Sequence, residues 1–269
     1  MRTRPQVRDV LSQIKHIRDS TYGPLSHYPR CGSSVSDIFI GREGLFETRF
    51  HGENTLALVL GNRVPVEHVI ARMGTDGNLI DVLKYSSDDY RMSFDLPSIG
   101  HEVYSFIHLT NYDEEMLLRV AGDERLVARL HRGYTGYRMR GSPMETVVHG
   151  NFGLVYLNRK GRLESLARQK SVHRYTVQEL FNETFRYELC FPNPTAQPLR
   201  IDVDFIQTTG DKEKTIRGTV APFGSWLLQV DSGQLQGGRY LSWCSRLPVG
   251  RCIIFEIDDL NSTCNVFHS

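Results

Sequence analysis

From Leu199 to Phe205 an apolar residue falls at every second position: Leu199, Ile201, Val203 and Phe205, with Arg200, Asp202 and Asp204 between them. Successive side chains of a β-strand point to opposite faces, so this pattern predicts a strand with one buried and one wet face, whereas a helix would scatter the four apolar residues around its axis. The polar run Thr208 to Lys214, with Gly210 inside it, predicts a hairpin loop and a return strand from about Thr215 to Val220. Further strands are expected at Ser225 to Val230, Tyr240 to Cys244 and Cys252 to Ile257, separated by Gly233, Gly237, Gly238, Pro248 and Gly250.

The stretch from Thr55 to Leu109 reads the same way. Leu56, Leu58 and Leu60 alternate, as do Met92, Phe94 and Leu96, and the turn Gly74 to Asn78, with Asp76-Gly77 inside it, joins Val69–Met73 to Leu79–Leu83. Two segments predict helix. Val7, Val10, Leu11, Ile14 and Ile17 recur at three- and four-residue steps and form one apolar stripe. Thr176-Val177-Gln178-Glu179 matches a capping box and predicts a short helix over Val177–Asn182. The expected fold class is therefore all-β: two β-sandwich-like domains of antiparallel strands with an N-terminal amphipathic helix. The expected division is a helix over 1–20, a first β-rich domain over 30–165 and a second sandwich over 175–269.

The second sandwich carries a resemblance. Asn193 follows a strand end, and the alternating strand Leu199–Phe205 comes next. A hairpin leads to Thr219-Val220 and Pro222, a strand ends at Val230-Asp231, and Ser245-Arg246-Leu247-Pro248-Val249 precedes the apolar strand Ile253–Ile257. Over residues 188–260 this order of features resembles the sensory rhodopsin transducer-like family of small β-sandwich proteins. The resemblance implies a binding or assembly module, often oligomeric, with no catalytic residues to carry over.

Composition narrows the function classes. The chain has 269 residues, 40% of them hydrophobic and 23% charged, which is enough to bury a substantial core. With 32 basic against 31 acidic residues the formal net charge is +1, so the surface as a whole is not built for nucleic acid, and only a local patch could serve that role. No apolar run approaches the ~20 residues needed to span a bilayer, and the N-terminus leads into a charged amphipathic segment and not an apolar signal core, so a cytoplasmic location is expected. The five cysteines, Cys31, Cys190, Cys244, Cys252 and Cys264, are odd in number and lack metal-knuckle or redox spacing; free thiols are expected.

The candidate chemistry centres on Arg132-Gly133-Tyr134-Thr135-Gly136-Tyr137-Arg138-Met139-Arg140, where basic and aromatic residues are interleaved with glycine. In an extended chain Arg132, Tyr134, Arg138 and Arg140 share one face. Guanidinium groups pair with phosphate or carboxylate, and tyrosine stacks on bases or sugar rings. Tyr137 joins them as a candidate ligand-binding aromatic, and Trp226 and Trp243, on separate strands, are candidates for a carbohydrate platform. The competing expectations are that the arginines pair with nearby acids and that the tryptophans fill the core. No H-x-H or H-E-x-x-H spacing, G-x-S-x-G, P-loop or G-x-G-x-x-G is present, so no metal or cofactor is expected and no catalytic residue is identified. The expected function is that of a non-catalytic binding protein recognising a glycan or other anionic ligand, acting as a homo-oligomer. The alternatives are a carbohydrate-active or metal-dependent enzyme with a site between the domains, and a structural or signalling adaptor.

Overall fold

The computed structural model describes residues 35–54, 57, 61, 63, 65–111, 130–131, 133–157, 162–177, 179–247 and 251–268. Among them the chain is all-β, with nineteen strands in four sheets that are antiparallel apart from one short parallel pairing. The N-terminal stripe expected as a helix lies outside the described residues, as does Arg132.

The first two sheets come from the N-terminal part. A seven-stranded sheet runs β11 (Leu163–Ser165), β10 (Asn151–Leu157), β1 (Val35–Arg42), β6 (Val103–Asn111), β3 (Val66–Met73) and β4 (Leu79–Ser87), with β7 (Leu130–His131) beside β1. A four-stranded sheet runs β5 (Arg91–Leu96), β2 (Phe46–Glu53), β8 (Gly133–Met139) and β9 (Glu145–His149). Strand β5 shows why they pack: Met92, Phe94 and Leu96 are buried while Arg91, Ser93 and Asp95 face solvent. The buried set, with Phe50 of β2, meets Phe39, Ile70, Tyr104 and Phe106 of the larger sheet.

The remaining sheets form a second sandwich. One runs β12 (His173–Thr176), β17 (Tyr240–Ser245), β14 (Leu199–Ile206) and β15 (Lys212–Val220); the other runs β16 (Ser225–Val230), β13 (Arg186–Pro192), β18 (Ile253–Asp258) and β19 (Thr263–His268). Leu199, Ile201, Val203 and Phe205 all point into the core, as their alternation predicts. The opposite face departs from expectation at Asp204, which is only 4% exposed. It accepts bonds from Thr215 Oγ1 (2.6 Å) and Arg174 Nη1 (2.9 Å) and lies 3.3 Å from Lys212 Nζ. Burial pushes its carboxyl up, but these three donors outweigh burial and hold it below the ordinary carboxylate range. The short helix expected over Val177–Asn182 is also absent among the described residues of that span. Phe181 instead forms an isolated bridge with Arg239 and is fully buried, its ring 4.7 Å from that of Tyr187, so core packing overrides the capping signal.

Strands β13 and β18 are buried on both faces over most of their length, so apolar residues of either parity fill them. Tyr187, Leu189, Phe191 and Ile254 face the second sandwich. Cys190, Ile253, Phe255 and Ile257 face the other way and pack on Ile40, Phe46, Val103, Tyr137 and Val148. A second contact joins the β3–β4 turn to the turn after β15. Gly77 sits at φ 78°, and a Cβ there would come within 1.8 Å of the Pro222 carbonyl oxygen. Gly77→Ala should therefore cost about 2 kcal/mol or more, combining left-handed strain with a backbone collision. A thermal melt no lower than wild type would show that the two turns separate freely.

Candidate functional site

The sequence-predicted segment becomes β8, an interior strand of the β5-β2-β8-β9 sheet. Its pleat decides which residues are available. Tyr134, Gly136 and Arg138 lie on the outer face, and Tyr134 is 49% exposed. Arg140 follows just past the strand end, exposed, with Nε donating to the Gly44 carbonyl at 2.8 Å. Tyr137 has the opposite parity and is buried. Its hydroxyl donates to the Ile40 carbonyl at 2.7 Å and its ring lies 4.8 Å from that of Phe255, so it is a core residue and not part of a ligand face. Trp243 is fully buried against Phe191, with ring centroids 5.7 Å apart. Trp226 is half-buried, stacked on Phe191 at 5.4 Å and lying over Gly218. Trp243 is therefore a core residue and makes no exposed platform with Trp226.

Strand register assembles the outer face from four strands. Glu47 of β2 stands opposite Arg138, Arg49 opposite Gly136, and His51 opposite Tyr134. On the far side of β2, Arg49 faces Asp95 and His51 faces Ser93. On the far side of β8, Arg138 faces Glu145 and Tyr134 faces His149. The charges pair across these rows. Arg138 Nε donates to Glu47 at 3.0 Å, and Arg49 Nε donates to Asp95 at 2.7 Å. The Asp95 bond raises the Arg49 pKa, so that guanidinium stays charged. Glu145 reaches further than its own row. Its carboxylate crosses β8 above Gly136, where a Cβ would come within 1.6 Å of Oε1, and bonds His51 Nε2 at 2.8 Å. The other ring nitrogen, His51 Nδ1, lies 2.8 Å from Ser93 Oγ.

Below this lattice the sheet edge opens into a cleft of about 310 Å³, lined by Glu43, Glu47, Asp95, Ser98, Arg138 and Arg140 among others. The buried Glu43 carboxylate forms one wall, fixed by the Ser98 hydroxyl and by the amides of Ile99 (2.7 Å) and Gly100 (3.0 Å). A small depression lined by Glu47, Thr48, Arg49, Asp95, Arg138 and Glu145 continues the cleft toward His51. Among the described residues Arg138 is paired to Glu47, while Arg140 has no acidic partner.

Other candidate chemistries fall elsewhere. The described cysteines, Cys190, Cys244, Cys252 and Cys264, are free, and burial pushes the Cys190 thiol up to about 12, away from nucleophilic use. Among the described residues no group of three His, Cys, Asp or Glu side chains is placed to hold a metal ion. Nor is any described helix long and apolar enough to cross a membrane.

No family model and no curated protein matches the sequence. Among solved structures, a Bacteroides uniformis beta-glucuronidase is similar at 8% identity and a TM-score of 0.18, over 86% of this chain and 25% of that one. Bacteroides uniformis beta-glucuronidase 2 covalently bound to cyclophellitol-6-carboxylate aziridine gives 9% identity and 0.18 over the same shares. A calcium-binding mutant of the latter enzyme gives 8% identity and 0.19. The chain spans about a quarter of the length of these proteins, and at such scores the likeness bears on neither its activity nor its ligand.

Sequence reading missed Glu47, Arg49, His51, Ser93, Asp95 and Glu145. One signal was present: β2 carries Glu47, Arg49, His51 and Glu53 at every second position, a polar stripe too regular for a loop.

Proposed function

We propose that the protein is a binding module that holds a glycan or other polyhydroxylated anionic ligand on the outer face of the β5-β2-β8-β9 sheet. The observation that carries this reading is Arg140, an exposed guanidinium without an acidic partner among the described residues, at a cleft of about 310 Å³. A ligand carboxylate or sulfate would complete it, since a guanidinium offers a planar fork of donors that fits such groups. Glu47, Asp95 and Glu43 supply acceptors for hydroxyl groups beside it. The mixed signs favour a hydroxyl-rich ligand over a uniformly charged polymer such as nucleic acid, which calls for an unbroken basic groove.

The test is a calorimetric screen of acidic glycans, neutral glycans and single-stranded nucleic acid against wild type and Arg140→Ala. The acidic glycans should bind best, with affinity falling as salt rises. Arg140→Ala should weaken that binding by about tenfold, roughly 1.4 kcal/mol. Equal binding by the two proteins, or preferential binding of nucleic acid, would overturn the assignment.

A further inference from the structure

Three residues on this face form a chain that the binding reading leaves unused. Ser93 Oγ of β5 lies 2.8 Å from His51 Nδ1 of β2, and His51 Nε2 lies 2.8 Å from Glu145 Oε1 of β9. The connectivity is hydroxyl, imidazole, carboxylate. Its chemical logic is that of an activated serine: a carboxylate fixes one ring nitrogen as the donor, which leaves the other as a base for the hydroxyl proton. Either imidazole nitrogen can take the basic role, provided its partner is held. The serine is exposed, so a substrate can reach it.

The chain costs the sheet something to build. Glu145 and His51 lie on strands separated by β8, and only the missing side chain of Gly136 lets the carboxylate cross between them. By contrast Ser171 Oγ and His173 Nε2, 3.2 Å apart in the second half of the chain, form a serine–histidine contact that no carboxylate completes among the described residues. The position also fits. Asp95 lines the cleft, and Ser93 is two residues along the same face of β5, a distance of about 7 Å at strand spacing. Arg49 and Arg91 stand one step to either side on that face, Arg49 charged and held by Asp95, Arg91 exposed.

We infer that Ser93, His51 and Glu145 form an esterase centre that removes acyl groups from a hydroxyl-rich ligand held in the adjoining cleft; the alcohol half of that substrate rests on the binding reading above. Ser93 Oγ attacks the ester carbonyl carbon as its proton passes to His51 Nδ1. The tetrahedral oxyanion forms beside Arg49 and Arg91. It collapses with cleavage of the bond to the alcohol oxygen, which takes the proton back from His51. Water, deprotonated by the same nitrogen, then releases the acid and restores Ser93. Ester and water are the only reactants. Ser93 is the nucleophile and His51 the base, and Glu145 is a positioning residue.

The experiment treats the protein with a fluorophosphonate probe and with p-nitrophenyl acetate. Peptide mass spectrometry should place a single adduct on Ser93. Ser93→Ala and His51→Gln should each lower p-nitrophenyl acetate hydrolysis at least ~10²-fold, the usual span of general-base catalysis. Glu145→Gln keeps an acceptor for His51 Nε2 but removes the charge beside it, so kcat for p-nitrophenyl acetate should fall while KM stays unchanged. Gly136→Ala leaves a backbone that any residue can adopt and displaces the Glu145 carboxylate, so it should lower hydrolysis at least as far as Glu145→Gln. His173→Gln should behave as wild type. Failure of the probe to label Ser93, or hydrolysis undiminished in a folded Ser93→Ala protein, overturns the inference. Glycan binding measured on Ser93→Ala separates the two ideas. Binding without labelling of wild type removes only the esterase, and labelling without binding removes only the proposed ligand.

Discussion

Replacing Arg42 by alanine should lower the free energy of unfolding by about 3–5 kcal/mol, the usual cost of breaking a buried ion pair from one side. Arg42 is 2% exposed, and its guanidinium lies 5.6 Å from the ring centres of both Phe46 and Phe255. Nη2 pairs with Glu188, which is equally buried on the doubly covered strand β13, and Nη1 donates to the Glu102 carbonyl. Arg186 also pairs with Glu188 and is itself held 3.3 Å from Asp259, so one guanidinium would remain near the orphaned carboxylate. That residual partner limits the loss but does not replace the packing between the two phenylalanines. Urea denaturation measures the change. The double variant Arg42→Met/Glu188→Leu should recover most of it, since an apolar pair of similar size avoids desolvating two charges. A loss under about 1 kcal/mol in Arg42→Ala would mean that Arg186 alone neutralises Glu188.

Acid should weaken the fold well before the carboxylates titrate. His68 is fully buried between the sheets of the first sandwich, its ring 5.9 Å from Phe94 and stacked on His108 at 5.2 Å. His68 Nδ1 and His108 Nε2 are 3.1 Å apart, one donating to the other. Desolvation lowers the His68 pKa from 6.5 to about 4, opposed only by a backbone bond at Ser87. The folded state thus binds this proton less readily than the unfolded chain. The stabilisation is fully present above pH 6.5, is lost as pH falls, and levels off below about 4. The expected loss over that window is about 3 kcal/mol, from a shift of some two and a half units at 1.36 kcal/mol each. Carboxylates held low, such as Asp204, add their own losses only below about 4, near the ordinary aspartate range. Urea midpoints measured across the window should fall in wild type and stay level in His68→Phe/His108→Phe. A wild-type midpoint that does not move would mean that the pair accepts a positive charge without cost.

Much of the architecture was legible because one period governs a half-buried strand. Leu199 to Phe205, Met92 to Leu96 and the hairpin at Asp76-Gly77 could be read from alternation and turn chemistry alone. The same rule gave the shared face of Tyr134, Arg138 and Arg140. Tyr137 entered the candidate set through its company of arginines, although its parity already pointed inward. Trp226 and Trp243 suggest a separate platform because aromatic type does not reveal which face is wet. Asp204 was read as exposed because alternation says nothing about the donors that gather around a carboxylate. The Ser93–His51–Glu145 chain lay furthest from view. Its members are 42 and 94 residues apart in sequence and become neighbours only through the order of β5, β2, β8 and β9.

The sheet that carries β13 and β18 has a consequence for how this chain can change over evolutionary time. A sandwich with one wet outer surface can be moved between proteins as a cassette, because its boundary is already dressed for water. Here Cys190, Ile253, Phe255 and Ile257 belong to the first half's interior as much as to their own. Either half, transplanted alone, would bring a bare apolar wall with it. The two halves therefore constrain each other: a substitution on that wall must be matched across it, whereas the outer face of β2, β5, β8 and β9 carries no such packing constraint.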